Sequence, residues 1–302
     1  TVSTDLFDNI SVSISKIRNE NGWKTVNDKE VWGLKDVVEV PIDLTEGSQD
    51  WVLIFNEFKE VFKDNFETDS AGKLTSAGEA KAKSAFNEII ASFRSAFGDI
   101  DISQIKGSVS ISSDMWGNYQ MSLTENHYFI HNNRAFVKYA VTLTSGTDGL
   151  INTGTSRSIS AMRYEYGEDA NGYFVLLRAF SDVEIKREEL SEQMSRAINS
   201  ILAQAETFGS IIGDNILSNG NGGFIIRAAI SISDDSLSGL LGISGLKTVS
   251  ASVSTYIIKN GRALIDTTIT IANLYVDGSP TPETSGSRTV YHRDEKYRLS
   301  WT

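Results

Sequence analysis

One segment of this chain occurs twice. Residues 128–143 read YFIHNNRAFVKYAVTL and residues 256–271 read YIIKNGRALIDTTITI. Tyr128/Tyr256, Ile130/Ile258, Asn132/Asn260, Arg134/Arg262, Ala135/Ala263 and Thr142/Thr270 coincide at one constant offset, without a gap. The second repeat has polar and apolar residues alternating before its break, the period of a strand with one buried face. The break is Asn132-Asn133 in one repeat and Asn260-Gly261 in the other. Both central residues of a type I′ hairpin turn need positive φ, which Gly and Asn tolerate best. A chain of 302 residues has room for about two domains, so a repeated hairpin predicts a repeated fold around it.

Helical periodicity supplies the other layer. Trp51, Ile54, Phe55, Phe58, Val61 and Phe62 recur at spacings of three and four, as do Ala82, Phe86, Ile89, Ile90, Phe93 and Phe97. Such spacing places them on one face of a helix. Ser76 with Glu79 reads as a capping box opening the second helix. A third helix is predicted from about 187 to 208, with Leu190, Met194, Ile198, Ile201, Leu202 and Ala205 on its apolar stripe. Gly98 and Gly209 supply the stops. Short strands are expected around 109–112 and 230–233 before each repeat. Further strands follow, opened by Arg157-Ser158-Ile159 and Arg288-Thr289-Val290, with polar loops at 145–156 and 277–287. Residues 213–223 read as a loop, and 236–246 as a glycine-broken apolar segment. The first 48 residues, with a turn near 19–22, read as a strand-like extension too small for its own core.

The expected fold is therefore α+β, in two tandem modules, each a long helix packed on a curved antiparallel sheet of four to five strands. The boundaries are 1–48 for the extension, 49–183 for the first module and 184–302 for the second. The hairpin at 256–271, Arg288 and the terminal HRDEKYRLSW at 292–301 resemble the cystatin-like or nuclear-transport-factor-2-like α+β roll, here duplicated. That resemblance implies a cone between helix and sheet. In the enzymatic branches of the family, similar to isomerases and dehydratases, the cone holds a carboxylate or histidine. No position in this chain matches such a motif, and a roll of this kind leaves function open.

Composition narrows the function classes. A net charge of −11 argues against nucleic acid as partner, since binding needs a basic stripe to displace counterions from phosphates. With no cysteine, thiolate chemistry and Cys-based metal centres are excluded. No apolar run is long enough to span a membrane. Hydroxyl-rich strands lean toward an extracytoplasmic location, whether secreted, periplasmic or at the cell surface.

Few residues suggest chemistry. His127 and His131 share a strand face without a third ligand, so they read as rim histidines. Residues 67–79 suggest an EF-hand loop, but with Gly72 at the sixth position Ala71 and Gly78 fall where oxygen ligands belong, and a capped turn between helices is the better reading. Asp114 and Asp234-Asp235 read as strand-end turn residues. No G-x-S-x-G, G-x-G-x-x-G or Walker motif occurs. No catalytic residue, metal or cofactor is assigned. Tyr128, Arg157, Tyr256 and Arg288 are the candidate ligand- or partner-binding residues, expected on concave sheet faces, with Trp116 as a loop candidate. The leading expectation is a non-catalytic binding or structural protein holding a protein partner or small apolar ligand. The alternatives are an isomerase- or dehydratase-like enzyme with a carboxylate or His in one pocket, and a self-assembling surface or virion subunit, a homo-oligomer.

Overall fold

Among the described residues strand outnumbers helix, at 54% against 23%, because alternating Val/Ile and Ser/Thr run through both halves. The structure is a computed structural model, and it describes residues 2–4, 10–26, 28–113, 118–147, 155–234, 245–277, 279–293 and 299–301. The chain opens with β1 (Val2–Thr4), β2 (Ile10–Ser15), β3 (Ile17–Val26) and β4 (Lys29–Glu39). Helices α1 (Gln49–Val61) and α2 (Ser76–Ala96) follow. A first meander is built from β5 (Ser108–Ser113), β6 (Tyr119–His131), β7 (Arg134–Thr147), β8 (Thr155–Glu168) and β9 (Phe174–Phe180). Short elements come next: β10 (Val183–Ile185), α3 (Glu192–Leu202), α4 (Ala205–Phe208), α5 (Ser210–Gly213), β11 (Ile216–Ser218) and β12 (Phe224–Ile226). The second meander is β13 (Ala229–Asp234), β14 (Leu246–Lys259), β15 (Arg262–Val276) and β16 (Ser279–Val290). A small pair, β17 (His292–Arg293) and β18 (Leu299–Trp301), ends the described chain.

The expected pair of separate helix-on-sheet modules is corrected here. One 11-stranded sheet runs β1-β2-β5-β6-β7-β8-β13-β14-β15-β16, with β9 on the remaining length of β8. β8 and β13 join the two meanders, placing Ile159 opposite Ile230 and Ser158 opposite Ser231. A strand left at an edge exposes a row of unpaired backbone groups. The second meander satisfies that row on β8, so two repeats fuse into one sheet. Among the described residues, the helices of seven residues or more number three, and they pack into a single core with this one sheet instead of forming a separate helix-on-sheet layer for each repeat.

The alternation sorts the two faces. Val12, Val109, Ile111, Met121, Leu123, Val141, Leu143, Ile159, Ile230, Ile232 and Val249 are buried. They share one core with Trp51, Ile54, Phe55 and Phe58 of α1, Phe86 and Phe93 of α2, and Met194, Ile198 and Ile201 of α3. On the other face, Ser13, Ser110, Ser122, Thr144, Ser158, Ser231 and Ser250 fall in one lateral row. Hydroxyls there pair across strands, Thr124 with Thr142 at 2.9 Å and Ser252 with Thr270 at 2.8 Å. This is the pattern of an antiparallel sheet with one packed and one solvated face.

The repeated hairpins form as expected. Asn132 and Asn133 have φ of 48° and 63°, and Asn260 and Gly261 have 49° and 73°. His131 then pairs with Arg134, and Lys259 with Arg262. A bulge follows at the same place in both, between His127 and Tyr128 and between Thr255 and Tyr256.

Several local expectations are revised. The cap of α2 is Thr75, whose side chain accepts from the Gly78 N–H at 3.0 Å, so Ser76 is the first helical residue. Glu79 pairs with Lys59 at 2.6 Å and forms no capping box. The third helix is shorter than its apolar stripe: Ser191 caps α3, which ends at Leu202, and the chain turns into α4 and α5. That turn brings Phe208 onto the Tyr275 ring, and the Tyr275 hydroxyl donates to the Phe208 carbonyl at 2.7 Å. Residues 279–290 form β16 rather than a loop, and 216–218 and 224–226 are strands within the expected loop. β3 runs through the expected turn at 19–22, with a bulge between Glu20 and Asn21. β2 belongs to the main sheet, and its Val12 is fully buried. Asp114, Asp235, Trp116, and all of 236–246 save Gly245 and Leu246, lie outside the described residues.

Candidate functional site

Two neighbouring features stand out on the first repeat: an acidic cleft beside β6 and an aromatic arm leaning on its turn. β5 pairs with β6 only as far as Thr124. Beyond that point β4 lies beside β6, and the Glu39 carboxylate accepts from the Asn126 backbone N–H at 3.1 Å and from its side-chain amide at 3.2 Å. Glu39, Glu125, His127, Tyr128, Lys106, Lys138 and Glu189 line a cleft of about 560 Å³.

Glu125 is buried. It accepts from the Ser191 backbone N–H at 2.9 Å and from the Ser191 hydroxyl at 2.6 Å. Ser191 in turn accepts from the Met194 N–H at 3.1 Å, so a carboxylate on the sheet secures the N-terminus of α3, where negative charge is favourable. His127 stacks on the Tyr139 ring at 4.4 Å. Its Nε2 is 3.3 Å from Glu125 Oε1, yet the alignment makes no hydrogen bond and the buried nitrogen lacks a partner. The Tyr139 hydroxyl donates to Glu189 at 3.0 Å.

The carboxyls differ electrostatically. Burial pushes Glu39 above its ordinary value, against the hydrogen bonds from Asn126, and the nearby Glu125 charge adds to the rise. Burial acts the same way on Glu189, but the Lys186 N–H, the Tyr139 hydroxyl and Lys138 outweigh it and hold the group low. Burial and the Glu189 charge raise the Tyr139 phenol strongly. The cleft therefore sets Glu39 and Glu189 apart, the first raised and the second lowered.

The arm is the β3–β4 hairpin. Trp23 and Trp32 pair across it, their rings edge to face at 5.6 Å, and they are 62% and 57% exposed. Asn133, in the turn of the first repeat, holds the arm: its Oδ1 accepts from the Leu34 N–H at 3.1 Å and from the Lys24 ammonium at 2.7 Å. Gly33 makes room for this, since a Cβ there would lie 2.1 Å from that oxygen. Val31, Leu34, Ile130 and Lys35 line a groove of about 520 Å³ where arm and turn meet.

The residues expected to bind are not brought together. Tyr128 lines the acidic cleft, and burial and Glu39 raise its phenol. Tyr256 holds the matching register place in the second repeat but lines a different groove, with Leu177, Arg178 and Val253. Arg157 reaches under the helices, donating to the Ala96 carbonyl at 2.9 Å and to Gln204. It serves the C-terminal end of α2, where a cation is favourable. Arg288 is exposed and sits opposite Ile269, whereas Arg157 sits opposite Ser145. In the repeat's register Ile269 corresponds to Val141, so the two arginines are not counterparts. His131 stacks on Phe174 at 3.8 Å. In the loop between α1 and α2, Asp69 accepts from the Ala71 and Lys73 N–H groups, closing a turn between helices.

Among the described residues no group of three His, Cys, Asp or Glu is arranged to hold a metal ion, and no helix is long and apolar enough to cross a membrane. The tryptophan arm escaped the sequence reading because a two-stranded arm and a half-buried strand share the same alternation. Two tryptophans flanking Gly22 and Gly33 were the available signal. No family model matches this sequence, and neither the curated proteins nor the solved structures give a match.

Proposed function

We propose that this chain is a non-catalytic binding protein that engages a protein partner through the tryptophan arm. The observation that carries the reading is the exposed pair Trp23 and Trp32. Large aromatic rings left in water are costly to the free protein, and tryptophan dominates the energetics of protein interfaces. The Asn133 anchor supports the reading, because an arm fixed before binding loses less entropy on docking. Val31, Leu34 and Ile130 extend the apolar surface at its foot, and Lys24 and Lys35 favour a partner with acidic groups at its rim. Replacing both indoles, W23A/W32A, should weaken partner capture by at least about 2 kcal/mol, the threshold of an interface hot spot, with an unchanged melting temperature. Equal capture by wild type and the double variant contradicts the reading.

The raised Glu39 carboxyl favours a second reading, an enzyme using Glu39 as proton donor or base beside His127 and Tyr128. Turnover of a small polar substrate that Glu39→Gln abolishes would establish it; a full-rate Gln variant would dismiss it.

A further inference from the structure

The second repeat carries an apolar face that the first repeat buries. In the common register Val141 and Leu143 of β7 correspond to Ile269 and Ile271 of β15. Val141 and Leu143 are fully buried, whereas Ile269 and Ile271 are 52% and 51% exposed. Along β14, Val249 is fully buried, Ala251 is partly covered and Val253 is 46% exposed. The helical layer thus stops partway across β14 and β15, and the same apolar rows continue beyond it into solvent. Gly286 opposite Ile271 leaves the space beside it open. Arg178 of β9, which shares a groove with Val253, and Arg288 of β16, opposite Ile269, are exposed beside these rows, two basic residues in a chain of net charge −11.

A complementary surface exists at the other end of the molecule. α1 buries Trp51, Ile54, Phe55 and Phe58 but leaves Val52 and Leu53 exposed, at 40% and 55%. Glu57 and Glu60 are exposed one and two turns further on. α1 packs on β2, one strand from the β1 edge, whereas the uncovered rows lie beside β16, the opposite end of the strand order.

We propose that a second copy of this chain covers the β14–β15 face with its α1, apolar Val52 and Leu53 on Val253, Ile269 and Ile271, and Glu57 and Glu60 toward Arg178 and Arg288. The contact continues the existing helix-on-sheet layer and is charge-complementary. It joins unlike surfaces, so copies add head to tail, and such an interface builds open chains unless its rotation closes a ring. The tryptophan arm takes no part in it.

Sedimentation velocity with light scattering, from low micromolar to millimolar full-length protein, tests this. Wild type should grow in mass with concentration. Leu53→Glu blocks one end and Ile271→Asp the other, so each alone should stay monomeric. Their equimolar mixture should form a one-to-one dimer that grows no further. Glu57→Arg/Glu60→Arg should weaken association, and adding Arg178→Glu/Arg288→Glu should restore it. Circular dichroism and melting temperature like wild type confirm that each variant folds. W23A/W32A should assemble as wild type does. A monomeric wild type at every concentration, a closed dimer that neither single variant disrupts, a mixture that fails to associate, or assembly lost with the tryptophans would overturn the proposal.

Discussion

The two hairpins have the same backbone and different surroundings. Both use a two-residue turn with positive φ, both carry a bulge at the fourth residue before it, and both pair hydroxyls across their solvated face. Yet Glu125, His127 and Tyr139 of the first stand where the second has Val253, Thr255 and Thr267. The first is roofed by α2 and by the entry to α3. The second runs out from under its helices. The repeated residues are those that turn and strand geometry demand, while what each hairpin does depends on the element above it.

The comparison can be broken at matched positions. Leu143→Ala should cost about 2–5 kcal/mol, the range for truncating a fully buried leucine. Ile271→Ala should cost less than about 1 kcal/mol, because half of that side chain is in water already. Urea unfolding of the two variants measures the difference, and equal losses would show that Ile271 is covered in solution.

The polar substitution sharpens it. Glu125→Ala leaves the Ser191 N–H and hydroxyl without their acceptor and should cost about 1–3 kcal/mol. Ser191→Ala on top of it should cost less than Ser191→Ala alone, since the hydroxyl's bond to Glu125 is already gone and only the cap on the Met194 N–H is left to lose. Additive losses in a double-mutant cycle would separate Glu125 from the capping of α3.

Two carboxylates should respond to pH in opposite senses. Burial would raise Asp50, but the Lys16 ammonium at 2.6 Å and the Asp43 N–H hold it below its ordinary 3.8. Its contribution is present above that value and is lost as pH falls through the lowered folded-state value. Glu39 is raised above 4.5, so its contribution is complete below 4.5 and is lost as pH rises through the folded-state value. Asp50→Asn should therefore destabilise at neutral pH. Glu39→Gln should stabilise most on the neutral side and remove the loss expected above 4.5. Melting temperatures across pH 3 to 8 distinguish the two, and parallel curves for the variants would refute the assignment.

The smallest effect belongs to the turns. Gly261→Asn recreates the Asn-Asn of the first hairpin and should cost less than about 1 kcal/mol, since Asn tolerates the left-handed region. A larger loss would mean that the turns are not interchangeable.

Much of the local structure was legible in the sequence. Asn132-Asn133 and Asn260-Gly261 announced the turns because few residues accept positive φ twice in succession. The stripes through Trp51 and Phe86 announced α1 and α2 because a helix must bury one face. The stripe from Leu190 to Ala205 misled, since an apolar period continues through a bend as easily as through a straight helix. The candidate site was less legible. Glu125, Ser191, Glu189 and Tyr139 lie far apart along the chain, and Trp23 with Trp32 looked like any half-buried strand.

By itself the sequence determined the repeated hairpin, the helix faces and the absence of cysteine chemistry, because each follows from the covalent chain and its nearest neighbours along it. Tertiary structure alone decided that β8 joins β13, so that two repeats make one sheet. It also decided which hairpin is roofed, which tryptophans stay in water, and that Arg157 reaches a helix end while Arg288 does not. Those outcomes depend on which distant strand satisfies an open edge and on how far a layer of helices reaches, and neither is encoded within a single stretch of residues.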